Sequence, residues 1–545
     1  MTLIRALLLI GAALCSGASR GATLTILHTS DLHGHVVGRD ELFDRDFGEG
    51  LARVATAVRA ARGEGLPNLL LDSGDTIQGT PMQSIAFHAS AAAPDPTVRA
   101  MNALAYDAMA VGNHEFDFGL ARLEESRRQA RFPFLSANIV REDGKPAFDA
   151  YLVRTVGGVR VGILGLTTKN VAGWEPPSNI PGLRFLDTVE AARRFVPILR
   201  DREKCDVVIV LTHQGFERDL ATGEDLGTGD ENQAYEIATT VNGIDLLLTG
   251  HTHTAIAPRR LGSTWISQPG RFGNTLTRFD LSLEKKGSRW SITSVAGRNL
   301  PMKDVVPDPE IAAAAETEHA AAMRELAVAV ATLTSPVNVR DARTADNGLI
   351  DWLHEVQRQK TSADLSFASL LPGSLPPWAP GPLTARQVWS FYPYENALVM
   401  VRATGRQVRE ALEAAGRCVS GIEVQNGQAV WKRNRRVWGY NCDTMSGAEY
   451  ALDPTRPEGK RLLFLRRNGR EIRDDETFTV AINSYRASGS GGFGVWRDCP
   501  RVSEFGSLRE LLLDDARRRK TLDPRPDENW FLTPSLPEAR FGETN

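Results

Sequence analysis

The chain has 545 residues, which exceeds what one hydrophobic core usually serves, so two domains are expected. Its composition, with 42% hydrophobic and 24% charged residues, is that of an ordinary globular protein. The formal net charge of -3 gives no electrostatic reason for a nucleic-acid polymer or a membrane surface to be the main partner.

The first residues have the layout of a secretory signal peptide. Arg5 precedes an apolar run over 6–14, and SGA at 16–18 offers a small-x-small cleavage site. The run is too short to span a bilayer, and no later segment reaches about 18 consecutive apolar residues. We therefore expect a signal peptide over 1–18 and a periplasmic or secreted mature protein without a membrane span.

From residue 23 to about 270, short apolar, β-branched runs alternate with helical patterns such as 51–62 and 189–203. Each run ends in a loop rich in Gly, Asp, His or Asn: TLTILHTSD, NLLLDSGD, AMAVGNHE, VRVGILGLT, CDVVIVLTHQG and IDLLLTGHTHT. Near-continuous apolar strands are buried on both faces. The alternation predicts a layered α/β sheet with its chemistry at the carboxyl ends of the strands.

The pattern changes near residue 307, where an Ala-rich helical stretch begins. We expect a first domain over 22–303, a linker helix over 304–335 and a smaller α+β domain over 336–545. The second domain has helical patterns at 346–358 and 405–415, and strand patterns in ENALVMVRAT and ETFTVAINSY.

Four cysteines follow the predicted cleavage site: Cys205, Cys418, Cys442 and Cys499. An oxidising compartment permits disulfides, but four cysteines allow three pairings and the sequence does not choose between them. Buried free thiols are equally consistent with the sequence.

The strand-end loops carry five short polar motifs: D-x-H at 31–33, GD at 74–75, GNHE at 112–115, TH at 212–213 and GHTH at 250–253. Carboxylate, imidazole and amide groups suit a divalent ion such as zinc, manganese, cobalt or iron, whereas the lack of cysteine argues against a structural zinc site. Five of the ten histidines lie in these loops. Histidines that only fill a core would not collect at the ends of successive strands.

The order of these motifs resembles the calcineurin-like metallophosphatases, and GNHEFD together with the second half is similar to the secreted 5'-nucleotidase family. The resemblance implies a layered metallophosphatase β-sandwich flanked by helices and joined by a helix to the smaller domain. It also implies two divalent metal ions, one bound by Asp31, His33 and His253, the other by Asn113, His213 and His251, with Asp75 bridging both.

Two ions a few Å apart would lower the pKa of a shared water and stabilise charge during in-line displacement, so a phosphate ester is the natural substrate. By the same resemblance, Asn113 and His114 would face the phosphate, and Asp117 would orient His114 as a donor. Glu115 is expected to hold the loop. The alternative for Asp117 is a helix N-cap.

In the family that the chain resembles, the second domain supplies two aromatic rings that sandwich the base. Tyr394 in FYPYENAL and Tyr485 in AINSYRASG match those positions. Stacking of this kind stabilises any bound base by about 1 to 3 kcal/mol for each ring. The alternative is that each tyrosine is an ordinary surface or core residue.

The 5'-nucleotidase branch typically has NGGxxR and GGDG segments, whereas this chain has SFASLLPGS at 366–374 and SGSGGFG at 488–494, with Gly491 at the aspartate position. YPYEN, WGYNCDTMSGAEY and NSYRASG resemble the 2',3'-cyclic-nucleotide phosphodiesterase/3'-nucleotidase branch instead. We therefore expect hydrolysis of small-molecule 2',3'-cyclic and 3'-nucleotides. Alternatives are a 5'-nucleotidase or UDP-sugar hydrolase, a catalytically silent nucleotide-binding surface protein, and a sulfur-compound hydrolase.

Overall fold

The computed structural model describes residues 21–90 and 92–536. The predicted signal peptide over 1–18 lies outside these residues. Within the described part of the chain, no helix is both long enough and apolar enough to cross a membrane.

Two six-stranded sheets form the first half of the chain. The spatial order in the first sheet is Arg289–Pro301, Thr275–Lys286, Gly21–Thr29, Asn68–Asp72, Ala108–Ala110 and Phe134–Leu135. The order in the second sheet is Ala255–Leu261, Thr264–Pro269, Leu246–Leu248, Val207–His213, Val159–Thr167 and Tyr151–Val156. The neighbouring strands at the centre of each sheet are parallel, so their carboxyl ends meet at one edge.

A hydrophobic core fills the space between the two sheets. Alternate residues of each strand point into it, as Leu24 and Ile26 do, while Leu27 points to the outer face of the same strand. Helices cover the outer faces of both sheets: Leu51–Gly63, Pro81–Ala89, Pro96–Ala103, Leu120–Gln129, Val171–Trp174, Thr188–Pro197 and Ala234–Thr240. This architecture confirms the predicted layered α/β sandwich flanked by helices.

The predicted linker helix over 304–335 is not one continuous helix. The structure has helices at Pro309–Ala313 and Glu316–Leu326, followed by a strand at Ala329–Leu333. This strand pairs with Gly381–Thr384 and Thr521–Leu522, and these tertiary partners outweigh the helix propensity of its alanines. The helical part of the connection therefore ends at Leu326.

Up to residue 536, the second half of the chain contains three small sheets and a hairpin. A five-stranded sheet has the order Asp443–Ser446, Leu365–Ser369, Thr477–Asn483, Ala397–Thr404 and Arg501–Ser507. Besides the sheet of Ala329–Leu333, the other strands are Val419–Gln425, Gln428–Arg433, Glu449–Leu452, Leu462–Arg467, Arg470–Glu471 and Trp530–Leu532. The helices are Gly348–Thr361, Ala385–Phe391, Gly405–Ala415, Ser484–Ala487 and Leu508–Arg519. These elements confirm the predicted α+β domain.

The four cysteines that the structure describes form one disulfide and two free thiols. Cys418 is bonded to Cys442, and their Cα atoms are 5.5 Å apart. Cys205 and Cys499 are buried free thiols. The disulfide closes the base of the hairpin over 419–433 and joins it to the WGYN segment.

A buried ion pair of the second half is hydrogen-bonded to the first half of the chain. The Arg509 guanidinium is fully buried, lies 3.4 Å from the centre of the Trp389 ring, and forms an ion pair with Glu395. Ser84 of the first half donates to Glu395 at 2.6 Å and accepts from Arg509 at 3.1 Å. The ion pair lies within the second half, and its two hydrogen bonds with Ser84 hold the second half against the first.

Candidate metal centre and substrate cavity

The predicted ligands lie at the carboxyl edge of the two sheets, in an uncommon backbone conformation. Five of the seven have positive φ angles, between 47° and 73°: Asp31, His33, Asp75, His251 and His253. Residues other than glycine rarely adopt this conformation, and it is retained only where surrounding contacts hold it. Its concentration in these loops marks the edge as a candidate functional site.

Asp31, His33 and His253 form the first ligand cluster, with one donor atom from each lying within 4.8 Å of the others. His33 Nε2 is 3.0 Å from His253 Nε2, which is 3.4 Å from Asp31 Oδ1. His33 Nδ1 donates to the Gln78 carbonyl at 2.9 Å. Since a carbonyl only accepts, His33 Nε2 keeps its lone pair for the cluster.

Asp75, His213 and His251 form the second cluster. His213 Nε2 is 2.9 Å from Asp75 Oδ2, and its Nδ1 donates to the Ser73 carbonyl at 2.7 Å. The same Asp75 oxygen is 3.8 Å from His33 Nε2 of the first cluster. Asp75 therefore belongs to the second cluster and also adjoins the first.

Asn113 provides a direct test of whether the residues fit a metal ion. Its Oδ1 is buried and has no hydrogen-bond partner among the described residues. An unsatisfied buried acceptor costs about 1 to 3 kcal/mol, so this oxygen is suited to a cation that the chain does not supply. The carboxylate, imidazole and amide donors together fit two divalent ions of the zinc, manganese, cobalt or iron type.

The glycines of the motifs allow the ligand loops to approach each other closely. A Cβ atom on Gly112 would lie 2.3 Å from Asp75 Oδ1, and one on Gly250 would lie 2.2 Å from Ser30 Oγ. Both distances are shorter than real Cβ contacts. The first residue of GNHE and of GHTH is therefore glycine for steric reasons.

Glu115 joins two of the ligand loops. It is only 1% exposed, and its carboxylate accepts from the backbone amides of Gly112 at 2.6 Å, Asp75 at 2.9 Å and Thr76 at 2.6 Å. The side chain thus fixes the GD loop against the GNHE loop, as expected from the sequence.

His114 and Asp117 form an ion pair beside the second cluster. His114 Nδ1 is 3.0 Å from Asp117 Oδ2, and the His114 backbone amide donates to Asp75 Oδ1 at 2.9 Å. Burial alone would lower the pKa of His114, but the carboxylates of Asp117 and Asp75 raise it well above its usual value. The next helix begins at Leu120 with Gly119 as its N-cap, so Asp117 does not cap it.

A cavity of about 420 Å³ lies between the two halves of the chain. Asn113, His114 and His251 line it from the first half, and Tyr485 lines it from the second. Tyr394 is 44% exposed and is not among the residues that line this cavity. The Tyr440 ring packs edge-on against Tyr485, with centroids 6.4 Å apart, and burial together with the phenols of Tyr485 and Tyr394 raises the pKa of Tyr440.

Several residues of the site lie outside the five polar motifs and were not predicted from the sequence. Phe272 packs against the rings of His33 and His253, at 5.7 and 5.9 Å, and stacks on His35 at 4.1 Å. The loop of Phe272 follows the strand Thr264–Pro269. Phe272 could therefore have been found in the sequence by its position after a strand, as the histidines were. Trp174, Glu231 and Tyr440 are further residues of the site, and no spacing in the sequence relates them to it.

Two family models match the chain in the order that the motifs predict. The model for calcineurin-like phosphoesterases matches residues 24–255, which contain all seven predicted ligands. The model for the 5'-nucleotidase C-terminal domain matches residues 327–497, which contain both predicted stacking tyrosines.

The chain is also similar to individual proteins. It is 26% identical to a 2',3'-cyclic-nucleotide 2'-phosphodiesterase/3'-nucleotidase of Salmonella typhimurium, over 96% of this chain and 91% of that protein. It is 27% identical to the trifunctional nucleotide phosphoesterase YfkN of Bacillus subtilis, over 94% of this chain, which spans only 39% of that protein. A candidate 5'-nucleotidase structure from Staphylococcus aureus has a TM-score of 0.83 and 25% identity, covering 94% of this chain and all of that chain.

The fold and the site define a metal-dependent phosphoester hydrolase of the calcineurin-like class. With its characteristic second domain, the chain belongs to the 5'-nucleotidase family, and this confirms the resemblance found in the motifs.

Proposed function

We propose that the chain is an exported hydrolase of nucleotide phosphate esters, with 2',3'-cyclic nucleotides and 3'-nucleotides as its preferred substrates. The observation that carries this proposal is that one cavity of about 420 Å³ is lined by Asn113, His114 and His251 on one side and by Tyr485 on the other. The side of the cavity that carries the metal ligands suits a phosphoryl group, because metal ions hold phosphoryl oxygens. The side that carries an aromatic ring suits a base, because bases stack on such rings. Relatives named for nucleotide phosphoesterase activity support the same substrate class.

The ligand assignment is part of this proposal. One ion is bound by Asp31, His33 and His253, the other by Asn113, His213 and His251, and Asp75 bridges both. When bound, the two ions supply a water of lowered pKa and positive charge for the phosphoryl oxygens.

In this proposal, His114 is the donor to the phosphoryl or leaving-group oxygen. Asp117 accepts from His114 Nδ1, which leaves Nε2 for the substrate, and Nε2 carries a hydrogen only while the ring is charged. The two carboxylates that raise the pKa of His114 also favour the charged ring, which suits the developing negative charge of the reacting group.

Tyr394 and Tyr485 are proposed to grip the base. The loop that carries Tyr485 is fixed by Arg486, which is buried and forms an ion pair with Asp443 at 2.7 Å. Burial raises the pKa of the Tyr485 phenol, and the Tyr485 ring packs edge-on against Tyr440, with centroids 6.4 Å apart. Since Tyr394 does not line the cavity, its exposed ring must move before it can contact a base that is bound there.

The position of Asn441 beside Gly491 favours assignment to the cyclic-nucleotide branch over the 5'-nucleotidase branch. A Cβ atom on Gly491 would lie 2.2 Å from Asn441 Oδ1 and 2.5 Å from Arg486 Nη1. Asn441 of the WGYN segment thus fills the space that an aspartate at position 491 would need. The pocket beside Tyr485 is therefore built differently from one that carries the GGDG segment.

Initial rates on 2',3'-cyclic AMP, 3'-AMP, 5'-AMP and UDP-glucose, each with added manganese, zinc or cobalt, test the proposal. The first two substrates should be hydrolysed fastest. A preference for 5'-AMP or UDP-glucose would refute the branch assignment. Nucleotide binding without hydrolysis of any substrate would favour the silent binding protein. Export is tested by cell fractionation and N-terminal sequencing, with cleavage expected after Ala18.

A further inference from the structure

His251 is held on three sides by groups other than a metal ion. Its Nε2 lies 2.9 Å from Glu231 Oε1, and its backbone amide donates to Asp31 at 3.0 Å. The indole of Trp174 stacks on its ring, with centroids 5.4 Å apart and planes 24° apart. We infer that Glu231 and Trp174 are positioning residues that orient His251 for metal binding, and that docking of the second domain completes this arrangement through Ser490.

The inference rests on the two-ion site proposed above, and the chemistry of the Glu231 contact supports it. A carboxylate accepts a hydrogen bond but does not donate one, so the hydrogen of the neutral imidazole must lie on Nε2. His251 Nδ1 then keeps its lone pair for an ion. His33 and His213 reach the same result by donating from Nδ1 to backbone carbonyls. Each of these three ligand rings is thus oriented by an acceptor on the side away from the ion.

One short segment of chain supports both positioning residues. The strand Val159–Thr167 ends beside the strand that carries His213, and the chain then runs through Thr168 to the helix Val171–Trp174. Thr168 donates from its hydroxyl to the Glu231 carbonyl at 2.8 Å. This bond fixes the backbone of Glu231 relative to the segment that ends at Trp174.

The second domain contacts the same segment. Trp174 Nε1 donates to Ser490 Oγ at 3.1 Å, and Arg501 donates to the Gly173 carbonyl at 3.4 Å. Ser490 is itself bonded to Ser488 at 2.8 Å, within the loop that follows Tyr485. A metal ligand, an indole and the substrate-side loop therefore form one continuous chain of contacts between the domains.

Solvent exposure shows why this arrangement needs support. The His251 side chain is 12% exposed and that of Glu231 is 35% exposed, whereas His213 is fully buried. The more exposed ring has room to turn, and rotation would remove Nδ1 from the cluster. Stacking by Trp174 restricts this rotation without blocking the nitrogen atoms.

Manganese binding to the metal-free, full-length protein tests the inference without any substrate. Unbound Mn²⁺ is followed by electron paramagnetic resonance and fitted to two classes of site. His33→Ala identifies the class that belongs to the first cluster. The variants are Glu231→Ala, Glu231→Gln, Trp174→Leu, Trp174→Phe and Ser490→Ala. Glu236→Ala and Trp290→Phe are controls, because these residues make comparable polar contacts elsewhere on the first domain.

Glu231→Ala should weaken Mn²⁺ binding at the second cluster by about 10- to 100-fold, the usual effect of removing the partner of a ligand histidine. Glu231→Gln should recover part of this loss because its carbonyl oxygen still accepts. Trp174→Leu should weaken the same class. Trp174→Phe and Ser490→Ala should give equal, smaller losses of about 2- to 10-fold, since each removes the same hydrogen bond.

Wild-type affinity at both classes of site in Glu231→Ala and Trp174→Leu would overturn the inference. Equal weakening of both classes would also overturn it, because the loss would then not be specific to His251. If Glu231→Ala and Trp174→Leu unfold early in thermal melts, the same two criteria are applied to Glu231→Gln and Trp174→Phe instead. Wild-type protein that binds two ions but hydrolyses no nucleotide would refute the proposed function and leave the inference standing.

Discussion

Glu115 allows the structural support of the site to be separated from its chemistry. Its two carboxylate oxygens each accept from a pair of backbone amides: Oε2 from Gly112 and Asp75, and Oε1 from Thr76 and Ile77. In Glu115→Gln the shape is retained, but one oxygen becomes an NH₂ group. Whichever way the new amide lies, two buried backbone donors lose their acceptor.

The expected cost follows from that count. Each unsatisfied buried donor costs about 1 to 3 kcal/mol, so Glu115→Gln should lower the free energy of unfolding of the first domain by about 2 to 6 kcal/mol. A value of about 4 kcal/mol, with a urea dependence of about 2 kcal/mol per molar, lowers the urea midpoint by about 2 M. This is a large fraction of the stability of a typical domain, which is about 5 to 15 kcal/mol.

The assay is urea unfolding in EDTA, so that metal binding does not contribute to stability. Glu124→Gln is the matched control, because Glu124 is a half-exposed residue whose ion pairs with Arg127 and Arg141 lie on the surface. That variant should change the free energy of unfolding by no more than about 0.5 kcal/mol. A Glu115→Gln variant as stable as Glu124→Gln would refute the claim that Glu115 joins the two loops.

Three further outcomes follow from the site and from the second domain. His114→Ala should retain both metals but slow hydrolysis by about 10²-fold or more, and Asp117→Asn should show a milder loss of activity. The measurements are kcat for hydrolysis and metal analysis for the bound ions. Tyr394→Ala or Tyr485→Ala should raise KM for nucleotides by about 5- to 100-fold and leave hydrolysis of bis-p-nitrophenyl phosphate nearly unchanged. Equal losses of activity on nucleotides and on bis-p-nitrophenyl phosphate would refute stacking. Burial lowers the pKa of His354 to about 3. The free energy of unfolding should therefore fall as the pH drops below about 6.5, where the unfolded residue gains a proton and the folded one does not. In urea titrations at several pH values, His354→Gln should reduce this dependence of stability on pH.

The ligand loops were predictable because their signal is local. Parallel strands bring their carboxyl ends to one edge, so Asp31, Asp75, Asn113, His213 and His251 could be placed together from the strand pattern alone. The glycines that precede several of them reinforce the signal, because close packing of these loops excludes a side chain.

The remaining features depend on contacts between distant segments. Glu231 and Trp174 meet at His251 although nothing in their spacing relates them. The strand Ala329–Leu333 has a helical composition and is fixed by partners that lie far away in the sequence. The choice of Cys418 and Cys442 among three pairings likewise depends on how the hairpin folds back onto the WGYN segment.

Metal analysis of Asp75→Asn beside the wild type tests the two-ion centre most directly. Asp75 adjoins both clusters, with its Oδ2 2.9 Å from His213 Nε2 and 3.8 Å from His33 Nε2, so loss of its charge affects both ions. Wild-type protein should carry two ions per chain, and the variant should lose most of its bound metal together with most of its activity. Full metal occupancy in Asp75→Asn, or no more than one ion in active wild-type protein, would contradict the site.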